Sequence, residues 1–290
     1  MGITDGMIFD ERRCSLGEGP LWHPLRQTLI WFDIDNRLLF ERAMDGSGSG
    51  VHEFDEMVSA AGWVDISRLV VASESGLFVF DLDNHSIEPM VSMESENPLT
   101  RSNDGRADPY GGFWVGTMGK QVEHEAGAIY RYFKGDLVQL FDRITIANSI
   151  CFSPDGQIAY FCDTPTRKIM KVGLDVEGWP KSSPELFADV APHNPDGSIV
   201  DRDGNLWNAQ WGSSRIAGYA ASGEFIRAEK FEASHLSCPA FGGSGLDQLF
   251  VTSATQGLAD YGEHDGKTLI HDFGHEQFRG QQEHQVVLGA

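Results

Sequence analysis

One pattern recurs six times along the chain: a short run of β-branched, aromatic and other apolar residues. The runs lie at residues 29–34, 69–73, 113–117, 158–162, 206–210 and 249–253. Their starts are 40, 44, 45, 48 and 43 residues apart, which is the spacing of four-stranded β-propeller blades. The repeat therefore predicts an all-β fold, a six-bladed β-propeller with four-stranded blades, that occupies residues 1–290 as a single domain.

The sequence between the runs favours strands over helices. Tight-turn sequences precede several runs, among them residues 108–112, 153–156 and 201–204, and further strand-like runs follow. A (β/α)₈ barrel has a similar length and is the competing fold, but it needs a helix after every strand. No sustained helical periodicity separates these runs, so the barrel fits poorly.

The two ends of the chain complement each other. The last repeat lacks a strand after His271, and residues 7–9 resemble an outer strand ahead of the first repeat. We therefore expect the N- and C-terminal strands to share one blade and close the ring.

The charge composition limits which molecules the protein is expected to bind. The chain has 22 Lys and Arg against 43 Asp and Glu, a net charge of −21, which repels phosphate backbones and anionic lipid. Residues 1–10 lack the basic start and apolar run of a signal peptide. We expect no nucleic acid partner, no membrane association and a cytoplasmic location. The four cysteines are too scattered for a disulfide framework, so we expect reduced, mostly buried thiols.

Aligning the repeats predicts which side chains meet on the axis. Equivalent positions in a ring converge, although they are distant in sequence. Ten or eleven residues before each run, near the predicted start of each innermost strand, stand Glu18, Ser59, Asn103, Asn148, Asp196 and Cys238.

Three of these side chains would form an oxygen-rich ligand group. Buried carboxylates repel one another unless a positive charge lies between them. Glu18, Asp196 and the amide oxygen of Asn148 suit one divalent cation, Ca²⁺, Mn²⁺ or Mg²⁺, and tolerate Zn²⁺. Three ligands leave positions for water and substrate, as catalytic sites do. The alternative is that these polar residues only hydrate the channel or satisfy turn backbone.

Several segments resemble the SMP-30/gluconolactonase family, which includes regucalcin and bacterial sugar lactonases. The matching segments are residues 16–22 (Leu-Gly-Glu-Gly-Pro-Leu-Trp), 101–105 (Arg-Ser-Asn-Asp-Gly), 147–149 (Ala-Asn-Ser), 195–197 (Pro-Asp-Gly), 203–207 (Asp-Gly-Asn-Leu-Trp) and 239–243 (Pro-Ala-Phe-Gly-Gly). They follow the family's order over nearly the whole chain.

The resemblance implies a propeller whose metal is held by Glu18, Asn148 and Asp196, with Arg101 and Asn103 contacting the substrate. It also implies a small sugar lactone as the substrate. The chain departs from the family at two places. Gln121 stands near where some animal members carry a substrate-binding glutamate, and His193 lies in a loop where a glycine is usual.

The predicted reaction is metal-dependent hydrolysis of a sugar-acid lactone, such as glucono-, galactono-, arabino- or xylonolactone, with Asp196 as the general base for water. An ion pair with a neighbouring carboxylate is the other role open to Arg101. Two alternative functions remain: a non-catalytic Ca²⁺-binding regulatory propeller, and a phosphotriesterase or other esterase on the same scaffold. The sequence does not rank the lactones or the metals, and it leaves the oligomeric state open.

Overall fold

The computed structural model describes residues 6–273 and 278–289, and within them nearly all regular structure is β-strand. Twenty-four strands in this part of the chain form six four-stranded antiparallel sheets, the blades of a six-bladed β-propeller. In the same residues the only helical element is a 3₁₀ turn at Thr164–Thr166. The predicted fold class is confirmed, and the (β/α)₈ barrel is excluded because its helices are missing.

The strands follow one another around the ring. In chain order they are β1 (Met7–Asp10), β2 (Gly17–His23), β3 (Thr28–Asp33), β4 (Leu38–Ala43), β5 (Gly50–Glu53), β6 (Val58–Trp63), β7 (Arg68–Ser73), β8 (Gly76–Asp81), β9 (Ile87–Ser92), β10 (Thr100–Ala107), β11 (Phe113–Gly119), β12 (Gly127–Phe133), β13 (Asp136–Ile144), β14 (Ala147–Phe152), β15 (Ile158–Asp163), β16 (Lys168–Gly173), β17 (Glu185–Asp189), β18 (Asn194–Val200), β19 (Leu206–Trp211), β20 (Arg215–Tyr219), β21 (Phe225–Lys230), β22 (His235–Gly242), β23 (Gln248–Ala254) and β24 (Thr268–Asp272). Blades I to V are β2–β5, β6–β9, β10–β13, β14–β17 and β18–β21, and blade VI combines β22–β24 with β1.

The repeated apolar runs are the second strands of the blades, and both of their faces are covered. Every residue of β3 is buried, for example. Six apolar clusters fill the six interfaces between neighbouring blades, from Phe32 and Phe80 between blades I and II to Trp31 and Phe250 between blades VI and I. A strand packed on both faces is apolar at successive positions, which explains why these runs do not alternate with polar residues.

The ring closes through β1 and β24, as the sequence predicted. The two strands pair antiparallel, with Met7 opposite Ile270, so the N-terminal strand completes the blade that the C-terminal region begins.

The cysteines are in the expected state. Free, buried thiols are found at Cys14, Cys151, Cys162 and Cys238.

A bulge recurs in the innermost strand of every blade. The pairing between first and second strands shifts register between Glu18 and Leu21, Val58 and Ala60, Ser102 and Gly105, Asn148 and Cys151, Pro195 and Ser198, and Leu236 and Pro239. An extra residue bends the strand and redirects its side chains. In blade I the bulge includes Gly19, whose φ is +55°. A Cβ atom on this residue would clash with the Ser59 carbonyl. Glycine is therefore required directly after Glu18.

The C-terminal segment, residues 278–289, crosses the end of the channel where the innermost strands finish. The Trp63 indole donates to the Glu283 carbonyl, and the Gln281 amide donates to the carbonyls of Phe152 and Val200. Trp63, Phe152 and Val200 are the last residues of β6, β14 and β18. The segment thus ties together separate blades and covers this end of the channel.

A buried ion pair anchors this segment. The guanidinium of Arg106, in β10, contacts the carboxylate of Glu283, and both residues are more than nine-tenths buried.

The described residues contain no apolar helix of the length that a membrane span requires.

We predict that Glu283→Ala lowers the free energy of unfolding by about 3–5 kcal/mol, because it leaves the Arg106 guanidinium buried without its counter-charge. Denaturant unfolding measures the loss. The neighbouring change Gln282→Ala, at an exposed position, is the control and should cost less than about 0.5 kcal/mol. Replacing both partners, with Arg106→Met and Glu283→Leu, should recover most of the loss. An unfolding midpoint of Glu283→Ala equal to wild type contradicts this role of the ion pair.

Candidate metal centre and substrate pocket

A cavity of about 420 Å³ opens at the end of the channel where the innermost strands begin. Its lining residues come from all blades except blade II and from the loops beside them. They are Leu16, Glu18, Arg101, Asn103, Met118, Val122, Ile146, Asn148, Thr164, Pro165, Asn194, Asp196, Trp211 and Gln256. The volume is suited to a small molecule.

The five predicted site residues, Glu18, Arg101, Asn103, Asn148 and Asp196, all line this cavity. They lie near the starts of β2, β10, β14 and β18, at or next to the bulges of these strands. The repeat register therefore brings together side chains that are up to 178 residues apart in sequence.

The other two members of the predicted ring are not among the lining residues. The Ser59 hydroxyl donates to the Ser102 hydroxyl at 2.7 Å. Cys238 is buried, and desolvation raises the pKa of its thiol well above the ordinary value, with Asp104 adding to the effect. The ring of six equivalent positions thus places four side chains on the cavity and two inside the protein.

The two positions that depart from the family pattern also lie off the cavity. Gln121 is exposed, and its backbone amide donates to the Glu123 carboxylate. His193 Nδ1 lies 2.9 Å from the Ser213 hydroxyl. In each case the next residue, Val122 or Asn194, is the one that lines the cavity.

A chain of hydrogen bonds fixes the orientation of both asparagine amides. Arg101 Nη1 donates to Asn103 Oδ1 at 2.7 Å, and Asn103 Nδ2 donates to Asn148 Oδ1 at 2.8 Å. Asn148 Nδ2 then donates to the Thr164 hydroxyl at 2.9 Å, which donates to the Pro195 carbonyl at 2.8 Å.

The direction of this chain follows from its first member. A guanidinium only donates, so Asn103 must accept through Oδ1, and its amide nitrogen donates to Asn148 Oδ1 and to the Ala147 carbonyl. Asn148 therefore presents an oxygen, which has a second lone pair for a ligand in the cavity. The chain of hydrogen bonds links blades III, IV and V.

The sequence left an ion pair open as the other role of Arg101. In the described residues Arg101 makes no ion pair, so this role is not observed.

Three buried carboxylates interact electrostatically at this end of the channel: Glu18 and Asp196 line the cavity, whereas Asp104 is not among the lining residues. Glu18, Asp104 and Asp196 are each at most 5% exposed. Burial raises the pKa of Glu18 to about 8, and Asp104 adds to the effect. Burial, and after it the charges of Glu18 and Asp104, raises the pKa of Asp196 well above its ordinary range. A bound cation would relieve this repulsion.

The donor set therefore fits a hard divalent cation. It comprises the carboxylates of Glu18 and Asp196 and the oriented amide oxygen of Asn148, which are the ligand types that Ca²⁺, Mg²⁺ and Mn²⁺ prefer. Across residues 6–273 and 278–289 no group of three or more His, Cys, Asp or Glu side chains is arranged to hold a metal. In the predicted set the third ligand would be the amide oxygen of Asn148, which is not one of these four residue types.

Sequence reasoning missed two parts of this site. The first is Asp104, which directly follows Asn103 and holds the bulge of β14 by accepting from the Ile150 amide at 2.7 Å. The second is the apolar rim, which includes Met118, Val122 and Trp211. Trp211 ends a strand that the repeat did predict, but its exposure to the cavity depends on how the loops fold.

Comparisons with known proteins show which family has a similar sequence and fold. Residues 16–255 match the family model described as SMP-30/Gluconolactonase/LRE-like region. An L-arabinolactonase from Azospirillum brasilense is 36% identical over 263 residues, which cover 87% of this chain and 85% of the relative. A Rhizobium meliloti protein with a provisional sugar lactone lactonase name is 39% identical over 271 residues, 91% of this chain and 92% of that protein.

A solved structure is also similar over almost its full length. A calcium-binding protein, regucalcin, from Agrobacterium tumefaciens superposes with a TM-score of 0.94 at 37% identity, covering 98% of this chain and 97% of that one. The match over residues 16–255, the level of identity and the common fold lead to one conclusion: this chain belongs to the SMP-30/gluconolactonase family.

Proposed function

We propose that this protein hydrolyses a small sugar lactone to the free acid and that it needs one divalent cation to do so. The observation that carries the proposal is the group of buried carboxylates and one oriented amide oxygen on the floor of a single cavity. The lactonase names of relatives at 36% and 39% identity support the substrate class. The calcium-binding name of the similar solved structure supports a cation.

Glu18, Asn148 and Asp196 would hold the cation. When bound, a divalent cation supplies Lewis acidity that polarises the lactone carbonyl and acidifies water. The two carboxylates balance its charge, and the bulges of β2, β14 and β18 hold the three side chains in position.

The chain's own residues supply orientation and proton transfer. Asp196 takes a proton from the attacking water, whose oxygen bonds to the carbonyl carbon. The ring C–O bond then breaks, and the proton passes to the departing ring oxygen, which leaves a hydroxy acid. Asp196 suits this role because a carboxylate can bind the cation through one oxygen and accept the proton of water through the other. Arg101 orients the substrate through its remaining donors, and Asn103 can accept from a substrate hydroxyl through the second lone pair of Oδ1, because both of its amide hydrogens are already donated.

A panel of lactones against a panel of metals tests the proposal. Protein stripped with a chelator should be inactive and should regain hydrolysis of at least one of glucono-, galactono-, arabino- and xylonolactone with Mn²⁺, Ca²⁺, Zn²⁺ or Mg²⁺. Cation binding without hydrolysis of any lactone would favour the non-catalytic Ca²⁺-binding alternative. Turnover of a phosphotriester alone would favour the esterase alternative.

Asp196→Asn should lower kcat by about 10²–10⁴-fold, the usual contribution of general acid–base catalysis, because the amide cannot accept the proton. Steady-state kinetics with saturating metal measure the loss. Asp203→Asn makes the same change on an exposed turn of blade V and should keep wild-type kinetics. A wild-type kcat in Asp196→Asn would rule out Asp196 as the base.

The metal-free protein should lose stability as the pH rises from about 5 to 8. The pKa of Glu18 in the folded state is about 8, against an ordinary value of 4.5, so between these values the folded protein binds a proton that the unfolded chain releases. Stability then falls with rising pH, by about 1.4 kcal/mol for each unit by which the pKa is raised. A saturating cation displaces this proton and should remove the fall.

Thermal unfolding of wild type and Glu18→Gln across this range isolates the effect, because the amide does not titrate. Glu88→Gln, at an exposed position of β9, is the matched control and should behave as wild type. If wild type and Glu18→Gln show the same pH dependence without metal, the buried charge of Glu18 is not the cause.

A further inference from the structure

The cavity has a polar floor and an apolar rim. We use floor for the polar side chains Glu18, Arg101, Asn103, Asn148 and Asp196, and rim for the apolar side chains Leu16, Met118, Val122, Ile146, Pro165 and Trp211. Thr164, Asn194 and Gln256 complete the lining of the cavity. A lactone whose carbonyl lies over the floor would place its remote substituent against this rim. The rim therefore decides which substituents the cavity accepts.

Trp211 is the largest side chain of the rim, and a contact with blade VI fixes its orientation. Its indole stacks on the His235 imidazole with ring centroids 4.3 Å apart and planes 24° from parallel. His235 Nδ1 in turn lies 2.9 Å from the Gln256 carbonyl. The indole is thus oriented before any ligand arrives, which lowers the entropic cost of binding against it.

The loop that carries Gln256 is joined to blade I. Gln256 Nε2 donates to the Asp35 carboxylate at 3.0 Å, and the Ser15 hydroxyl donates to the same carboxylate at 2.6 Å. The position of the indole is therefore set by contacts that run from blade V through blade VI to blade I. The Trp211 indole is therefore a flat apolar surface in a fixed position, and it is called the platform below.

Positive charge is scarce around the cavity. Among the described residues that line it, Arg101 is the one cation, and its Nη1 already donates to the Ser102 carbonyl and to Asn103. Lys120, in the loop nearby, is paired with Glu74. Asp35, Glu18, Asp196 and Glu74 all act electrostatically on Arg101, so the surroundings of the cavity are acidic.

We propose that the cavity selects lactones whose remote substituent is uncharged, with Trp211 as the surface against which the sugar ring packs. This inference rests on the proposed lactone hydrolysis. A phosphate or sulfonate binds tightly where Arg or Lys side chains offer charge-assisted hydrogen bonds, and it is costly to desolvate against apolar side chains. The rim offers the second environment, so it acts against anionic lactones.

The first test compares gluconolactone with the same lactone carrying a phosphate or a sulfonate on carbon 6. The neutral lactone should have a kcat/KM at least about 100-fold higher, within the range that a site reaches by leaving charged groups unpaired. Equal or faster hydrolysis of an anionic lactone would overturn the inference while leaving the proposed function intact. Hydrolysis of none of the three, after the wider panel has also failed, would overturn both.

The second test adds a cation to the rim. Val122 is 49% exposed, so Val122→Arg can be accommodated, and Val122→Gln is a control of similar length without the charge. Val122→Arg should raise the ratio of anionic to neutral kcat/KM by about 10-fold, and Val122→Gln should not. An unchanged ratio in Val122→Arg, with normal kinetics on the neutral lactone, would contradict the inference.

The third test concerns the platform. Trp211→Ala should raise KM for the neutral lactone about 10-fold and change kcat less than about 2-fold, because it removes binding that ground and transition states share. Trp211→Phe should restore most of the affinity. Trp179→Ala, which removes an indole that packs on Arg131 away from the cavity, should leave KM unchanged. A fall in kcat and stability with an unchanged KM in Trp211→Ala would show a structural role and refute the platform.

Discussion

The structure depends on the closure of the ring. Each blade buries both faces of its strands, so a blade at an open end would expose an apolar surface as large as any interface inside the ring. The pairing of β1 with β24 and the packing of Trp31 against the last blade remove that exposed surface. The site depends on the same closure, because Glu18, Asn148 and Asp196 come from blades I, IV and V and meet only when the ring is complete.

Closure of the ring brings negatively charged side chains close together, which is unfavourable. Burial favours the protonated forms of the Glu18, Asp104 and Asp196 carboxyls, and repulsion from neighbouring carboxylates adds to this effect at Glu18 and Asp196. Fixed backbone geometry maintains this unfavourable arrangement: the recurrent bulges direct the side chains to the axis, and Asp104 itself holds one of the bulges. The proposed cation follows from this repulsion, because its positive charge would offset the negative charges that the fold brings together.

The two ends of the channel serve different purposes. At one end the C-terminal segment covers the channel, with the Arg106–Glu283 pair buried beneath it. At the other end the cavity is open and is bordered by an apolar rim. In the described structure, a ligand of the carboxylate floor therefore enters past the rim. If the proposed function holds, residues such as Trp211 and Val122 would influence which substrates reach the carboxylates.

The sequence by itself determined the blade count, the strand order, the shared terminal blade and the register of the four cavity residues, because a ring of equivalent repeats leaves little freedom in where equivalent positions lie. It also led to the family through local motifs. Only the tertiary structure decided the direction of the hydrogen bonds from Arg101 to Thr164, the burial of Asp104 and the apolar rim. These depend on side-chain orientation and on loops between blades, where contacts come from residues such as His235 and Asp35 that no repeat or spacing connects. Periodicity fixes where the strands lie, whereas the chemistry of the rim also depends on loop residues such as Val122 and Pro165, which no repeat predicts.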